Sequence, residues 1–492
     1  MSTDSRSLFN APNPRAAARA APVRKVLFVT SEMSDYVQAG GLGEVSAALP
    51  RALGTHCDAR VLMPGYRQVL EKHLVIEHVA SLPAAGEIPE CAIGRIKADD
   101  GLIVYVVLCP QLYDRPGSPY GDELNGDWPD NDIRFARLSL AAADFAAGIA
   151  DPSWTPDNLH LNDWPSALAS GYLAWRGLET PSLLTIHNLA YQGCFDPRRL
   201  EALDIPQEAF DMHGVELFGK LSFLKAGLFY ASHLTTVSAT YAEEIATAEF
   251  GCGLHGLLQE RTQQGRLSGI LNGIDDTWDL LSPGMRARRF APAEWKGRHA
   301  KHVRRMFGLG LSRGPLFAII SRLVHQKGVD LAIEAAETIV THGGQLVVTG
   351  RGEPRLEQGI RDLAERHPGA VGARIGFDAD EARAMFAASD FLLMPSRFEP
   401  CGLSQMYAQK SGSLPIARNT GGLADTISDG ETGFLFGSAT TDGLNKAIRR
   451  AFLAFDSSRR IWSMRRAAMS QTYSWDSSAK RYADAYRRPG AF

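Results

Sequence analysis

The 492-residue sequence predicts two doubly wound α/β domains in tandem, and three observations predict them. From residue 25 onward, short apolar and β-branched runs alternate with longer helical patterns, and a second series of the same kind begins near 315. Each short run is apolar nearly throughout, as a strand covered on both sheet faces must be; a strand with one wet face would alternate. Strand–helix–strand alternation implies parallel pairing, because a crossover that carries a helix returns the chain in the same direction.

In the first series the predicted strands are KVLFVT (25–30), ARVLMP (59–64), LIVYVVL (102–108), LLTIH (183–187) and HLTTVS (233–238), with helices over 44–53 and 133–147. In the second they are PLFAIIS (315–321), QLVVTG (345–350), ARIGF (373–377), FLLMPS (391–396) and LPIAR (414–418), with helices over 330–342 and 379–388. A polar, Arg-rich stretch at 284–305 separates the two series, and residues 1–24 read as a loose tail. No repeat of 20–50 residues recurs, which argues against a solenoid.

Composition narrows the function classes. Lys+Arg number 52 against 55 Asp+Glu, a net charge of −3, with 45% hydrophobic and 22% charged residues. These are the proportions of an ordinary globular protein of two to four domains. The near-neutral balance argues against a dedicated nucleic-acid or anionic-membrane binder. No apolar run approaches the roughly 18 residues that span a bilayer. The opening has no secretory apolar stretch, so the chain is expected to be cytoplasmic. The six cysteines (Cys57, Cys91, Cys109, Cys194, Cys252, Cys401) are widely spaced with no C-x-x-C, which favours neither a disulfide framework nor a structural zinc site.

Ligands of open parallel sheets bind beyond the carboxyl ends of the strands, so the site is expected in a cleft between the domains. The polar motifs do follow strands. AGGLGEV (39–45) follows the first, and its glycines let backbone approach a phosphate or sugar at the start of a helix. Alone, the string fits a tight turn equally well, and it lacks the third glycine of the dinucleotide fingerprint. HLNDWP (160–165) and TIHNLAYQG (185–193) bring Asp163 and His187 to strand ends, where a loop hydrogen bond or helix cap is the competing role. SRLVHQKG (321–328) carries Arg322 and Lys327, a guanidinium fork and a compact charge suited to phosphate, or else a solvated basic loop. SRFEPCGLSQ (396–405) and RNTGGLADT (418–426) add Glu399, which can accept from hydroxyls, and a Gly-Gly pair opening a helix.

Taken together, AGGLGEV, YDRPGSPYGD (113–122), HNLAYQG, SFLKAGL (222–228), LNGID (271–275), SRLVHQKG, SRFEPCGL and TGGLAD resemble the bacterial glycogen synthases and plant starch synthases over roughly 25–480. The resemblance implies the GT-B fold, two Rossmann-like domains facing across a deep cleft. It implies domains at 25–270 (acceptor side) and 271–470 (donor side), with a helix in 471–492 crossing back to the first. It further implies a retaining, metal-independent transfer of glucose from ADP-glucose to the non-reducing end of an α-1,4-glucan, without a cofactor. Carried over by position, Arg322 and Lys327 would neutralise the donor diphosphate. Glu399 would bind hydroxyls of the transferred glucose, with Cys401, Gly402 and Leu403 lining the pocket. His187 would lie near the sugar's 6-hydroxyl, Asp163 and Asn272 would hold glucose, and Gln38, Gly40 and Gly41 would border the donor. Thr420, Gly421 and Gly422 would cradle phosphates through backbone N–H groups. For Cys401 the competing role is plain packing of a small buried side chain.

Two departures stand out. The family's Lys-Thr before Gly-Gly-Leu is Gln38-Ala39 here, a neutral amide in place of a cation, and its His-Asp-Trp-His is Asn162-Asp163-Trp164-Pro165. The alternatives to a glucan synthase are therefore a catalytically weakened glucan- or nucleotide-sugar-binding homologue and a glucosyltransferase with altered donor or acceptor preference. A nicotinamide oxidoreductase fails on the missing glycine and on the lack of an acidic ribose ligand after the second strand.

Overall fold

The structure, a computed structural model, describes residues 23–72, 75–122, 126–275 and 292–487. The first domain is built on a nine-stranded sheet: β1 (Lys25–Val29), β2 (Asp58–Pro64), β3 (Glu77–Leu82), β4 (Cys91–Lys97), β5 (Ile103–Leu108), β6 (Asn158–Asn162), β7 (Ser182–Ile186), β11 (His233–Thr236) and β12 (Leu267–Gly269). Its spatial order is β12-β11-β7-β6-β1-β2-β5-β4-β3. Three short antiparallel strands, β8 (Cys194–Phe195), β9 (Glu216–Leu217) and β10 (Lys220–Ser222), form a separate small sheet. The second domain holds six parallel strands: β13 (Leu316–Ile320), β14 (Gln345–Gly350), β15 (Val371–Ile375), β16 (Phe391–Met394), β17 (Leu414–Arg418) and β18 (Phe434–Phe436), ordered β15-β14-β13-β16-β17-β18.

The apolar runs form strands because both sheet faces are covered. Phe317 and Ile319 of β13 enter one core, while Leu316, Ala318 and Ile320 enter another on the opposite face. Successive side chains point to opposite faces, so a strand that feeds two cores must be apolar at every position.

One expectation needs correcting, and two further segments are defined only by the structure. The first sheet is not wholly parallel, since β4 runs antiparallel to both β3 and β5. Glu77 and His78 are exposed on this edge, so the segment lacks the apolar run that marks a doubly covered strand. The central strand β6 (NLHLN) carries no continuous apolar run, because its leucines alternate with polar residues. Those polar groups are buried nevertheless: His160 Nδ1 meets Tyr486 Oη at 2.6 Å and Nε2 meets Thr185 Oγ1 at 2.8 Å. The polar stretch at 284–305 that separates the two series is in part helical. Residues 284–291 lie outside the described residues, but helix Pro292–Met306 belongs to the second domain, where Lys296 Nζ donates to the carbonyls of Phe386 and Ser389.

The chain passes between domains twice, and the two passes touch. The Ile274 N–H donates to the Tyr473 carbonyl at 2.9 Å. At Gly273 any Cβ would lie 2.6 Å from the Trp475 nitrogen, so only glycine lets the passes run this close. Tyr473 packs in a core of the second domain, whereas Ala479, Tyr482 and Tyr486 of helix Trp475–Tyr486 join the core of the first.

Candidate active site

In both sheets the crossovers diverge at one pair of neighbouring strands, β1 and β6 in the first and β13 and β16 in the second. The crevice opens beyond the carboxyl ends of such pairs. The polar motifs follow those strands or their immediate neighbours, which is why residues far apart in sequence share one cleft.

On the first-domain wall, the glycine loop after β1 has its N–H groups partly occupied. Ala39 and Gly40 donate to Glu32 Oε2 at 2.7 and 2.9 Å, and Glu32 Oε1 accepts from Tyr120 Oη at 2.7 Å. Gly40 and Gly41 have no atom within 4 Å of where a Cβ would stand, so packing does not demand glycine there. Gln38 turns its amide to the Gly40 carbonyl (3.1 Å) and to Glu44 Oε1 (3.4 Å). Asp163 has a positive φ of 52°. Its Oδ1 accepts from the N–H groups of His187 (2.7 Å) and Asn188 (3.3 Å), tying the end of β6 to the end of β7. Its carboxylate thus makes a loop hydrogen bond and does not cap a helix. Burial pushes its carboxyl up to about 7 against those two hydrogen bonds.

His187 Nε2 lies 3.0 Å from Asn162 Oδ1. The Asn162 amide nitrogen donates to the carbonyls of Val29 and His160, which leaves Oδ1 as the acceptor. His187 therefore carries its proton on Nε2, and burial drives the imidazole down to about 3, so it is neutral. Asn162, which replaces a family histidine, holds the ring that the motif retains.

On the second-domain wall, Lys327 Nζ sits 2.8 and 2.6 Å from Glu399 Oε1 and Oε2, and Ser396 Oγ donates to Oε2 at 3.0 Å. The expected phosphate cation and the expected sugar carboxylate are thus each other's partners, joined where β13 and β16 meet. Arg322 is exposed, and its Nη1 reaches across the cleft to within 3.5 Å of Tyr191 Oη. Cys401 is 5% exposed among apolar neighbours, and burial pushes its thiol up to about 12, in keeping with a packing role. Gly402 takes a φ of 68°, with Gln405 Oε1 only 2.5 Å from any Cβ, and Leu403 precedes helix Ser404–Lys410. Asn272 is 6% exposed, and its Oδ1 is buried with no hydrogen-bond partner among the described residues.

The backbone N–H groups expected to cradle phosphates at Thr420, Gly421 and Gly422 have partners within the protein. Thr420 N–H donates to the Arg418 carbonyl, Gly421 N–H to Glu244 Oε1 and Gly422 N–H to the Glu399 carbonyl. Their glycine requirement comes from packing: a Cβ on Gly421 would meet the Glu399 carbonyl at 2.0 Å, and one on Gly422 the Cys401 carbonyl at 2.1 Å. The two Asp-x-Asp strings of the sequence, at 130–132 and 378–380, serve structure. Asp130 pairs with Arg115, Asp132 with Arg199, and Asp378 caps helix Ala379–Ala388.

Several cleft residues escaped the sequence reading. Glu32 and Glu44 border the glycine loop, and Tyr407 Oη donates to Glu44 Oε2 at 2.5 Å from the opposite domain. Beyond β14 and β15 stand Arg351, exposed, and Phe377, 77% exposed. Arg351 makes no hydrogen bond or ion pair through its side chain among the described residues, and Phe377 lies past the strand that was expected to contain it. The signal that could have found both is their position directly after a buried strand.

Residues 25–260 match the starch synthase catalytic domain and residues 307–463 the glycosyl transferases group 1 domain. Glycogen synthase 1 of Bradyrhizobium diazoefficiens is 56% identical over 461 residues, covering 93% of this chain and 100% of that protein. The glycogen synthase of Pseudomonas putida is 56% identical over 465 residues, covering 94% and 90%. Among solved structures, the catalytic domain of starch synthase IV from Arabidopsis thaliana, bound to ADP and acarbose, superposes with a TM-score of 0.80 at 29% identity, over 94% of this chain and 99% of that one. Anabaena HepE with UDP, at 16% identity and a TM-score of 0.55 over 94% and 99%, shares the fold alone. No helix among the described residues is long and apolar enough to cross a membrane. With its two Rossmann-like domains in the GT-B arrangement and its relatives matched over nearly their whole length, the chain belongs to the glycogen synthase family.

Proposed function

We propose that this protein transfers glucose from ADP-glucose to the non-reducing end of an α-1,4-glucan, with retention of configuration. The observation that carries the reading is the Lys327–Glu399 pair on the second-domain wall, where Arg322 reaches Tyr191 across the cleft, together with half-buried Asp163 and neutral His187 at the strand ends of the first. As the glycosidic C–O bond to phosphate lengthens, charge collects on the leaving diphosphate, and two positioned cations oppose it without reorganising. Glu399 has four lone-pair sites, so it can accept from sugar hydroxyls while keeping Lys327. It acts here as a binding and electrostatic group, not a nucleophile. Retention then follows from a front-face departure, in which the acceptor hydroxyl enters on the side the phosphate leaves. The orphaned Asn272 Oδ1 supplies a further acceptor for a glucose hydroxyl. Phe377 offers a flat face for the nucleoside base, outboard of the phosphates along the sheet.

Purified protein is to be incubated with radiolabelled ADP-glucose or UDP-glucose and with glycogen or maltooligosaccharides. Polymer labelled from ADP-glucose and released by an α-1,4-specific glucanase is the expected result. No incorporation, with an active control, sinks the reading. Activity unchanged by a chelator is expected, because the diphosphate charge is met by Arg322 and Lys327.

A further inference from the structure

Helix Ala239–Glu244 follows β11 in the first domain, and helix Gly421–Thr426 follows β17 in the second. They face each other across the domain boundary and exchange carboxylates. Asp425, near the end of the second helix, accepts from the Ala239 N–H at 2.6 Å, the Thr240 N–H at 3.2 Å and Thr240 Oγ1 at 2.5 Å. Glu244, the last residue of the first helix, accepts through Oε1 from Thr420 Oγ1 at 2.8 Å and the Gly421 N–H at 3.1 Å. Each helix thus supplies a carboxylate to the other's first turn.

This exchange is wired to both walls of the site. Tyr241, on the first helix, accepts the Leu189 N–H at 3.1 Å and so grips the loop that begins with His187. Ser238, which caps the same helix, donates to the Pro400 carbonyl at 2.6 Å, next to Glu399. On the other side, Gly421 and Gly422 lie directly against the carbonyls of Glu399 and Cys401. One short helix therefore holds the loops of His187 and Glu399 at once, with Glu244 and Asp425 fixing its place against the second domain.

We propose that Glu244 and Asp425 are positioning residues that set the His187 loop and the Glu399 loop in register for glucosyl transfer. The proposal rests on the reading that both loops serve one reaction. Neither carboxylate needs to touch substrate. Their contribution is geometric, and a misplacement of about 1 Å between catalytic elements can cost on the order of 100-fold in rate.

The test uses the full chain with Glu244→Ala, Asp425→Ala, both together, and the conservative Glu244→Gln. The double alanine variant is expected to lose about 10- to 100-fold in kcat. Its affinity for ADP, measured by calorimetry, should stay within about twofold, because the donor cations Arg322 and Lys327 lie within one domain. Glu244→Gln should recover to within about threefold of the parent, since a carboxamide oxygen still accepts from Thr420 and Gly421. Unchanged kcat in the double variant overturns the proposal. So does a Glu244→Gln as impaired as Glu244→Ala, or a kcat loss matched by an equal loss of ADP affinity. An Arg322→Gln control reports separately: if it retains full activity, the donor-site reading fails, whatever the carboxylate variants do.

Discussion

Across the cleft, the first-domain wall presents half-buried groups held by fixed partners: a neutral His187 bound through its ring to Asn162, and Asp163 bound by two backbone N–H groups and raised to about 7 by desolvation. The second-domain wall presents exposed Arg322 and Arg351 and the Lys327–Glu399 ion pair. A neutral sugar needs directional hydrogen bonds from fixed groups, and desolvation sharpens those. A diphosphate needs positioned cations that keep some contact with water, because full burial would cost several kcal/mol per charge. The division of labour follows from the two halves of one substrate.

The largest expected effect falls on the charged wall. Lys327→Gln and Arg322→Gln should each lower kcat/KM by roughly 10²–10³-fold. They should part in stability. Removing Lys327 leaves Glu399, whose side chain is 5% exposed, without its cation. Breaking a buried pair costs about 3–5 kcal/mol, and the 19% exposure of Lys327 draws the loss toward the lower figure. Exposed Arg322 should leave the unfolding temperature unchanged. Equal thermal shifts in the two variants would break the contrast between the paired and the exposed cation.

Next comes a pH test of the first-domain wall. Asp163 titrates at about 7 folded and near 3.9 unfolded, so between those values only the unfolded chain has lost the proton. Its contribution to stability therefore falls as pH rises from about 4 to about 7 and is flat above. His187, pushed down to about 3, acts oppositely: stability is lost as pH falls from about 6.5 toward 3. Asp163→Asn removes only the first effect. The unfolding temperature of that variant, minus the parent's, should climb between pH 4 and pH 7; a flat difference would show that Asp163 is not desolvated as described.

Two smaller effects sharpen the division. Phe377→Ala should weaken ADP by about 2- to 10-fold, the size of one aromatic stacking contact, and leave inorganic pyrophosphate binding unchanged. Equal losses for both ligands would remove Phe377 from the nucleoside. Gln38→Lys places a cation at the glycine loop and should tighten ADP-glucose by a few fold, since charge-assisted hydrogen bonds exceed neutral ones by about 1 kcal/mol. Activity that appears only in that variant would favour the weakened-homologue reading.

Parallel strands were legible wherever both faces are apolar, and 414–418 matches β17 while 379–388 matches its helix to the residue. β6 was not legible, because His160 and Asn162 look solvated until the helix at Trp475–Tyr486 and the neighbouring strands are seen to satisfy them. The site residues were legible as polar groups after strands, but their partners were not. Glu244 and Glu399 stand 155 positions apart in number, and nothing local tells that one occupies the Gly421 N–H while the other pairs with Lys327.

By itself, the sequence determined the α/β class, the two series of strands and the cations after β13, because burial periodicity and side-chain charge are local properties. Only the tertiary structure decided that the glycines at 421–422 serve close packing, and that Lys327 and Glu399 are paired. It also decided that Glu244 and Asp425 join the domains. Hydrogen-bond partnership is a matter of distance in space, and a crossover fold brings together carboxyl ends of strands whose separation in sequence carries no trace of it.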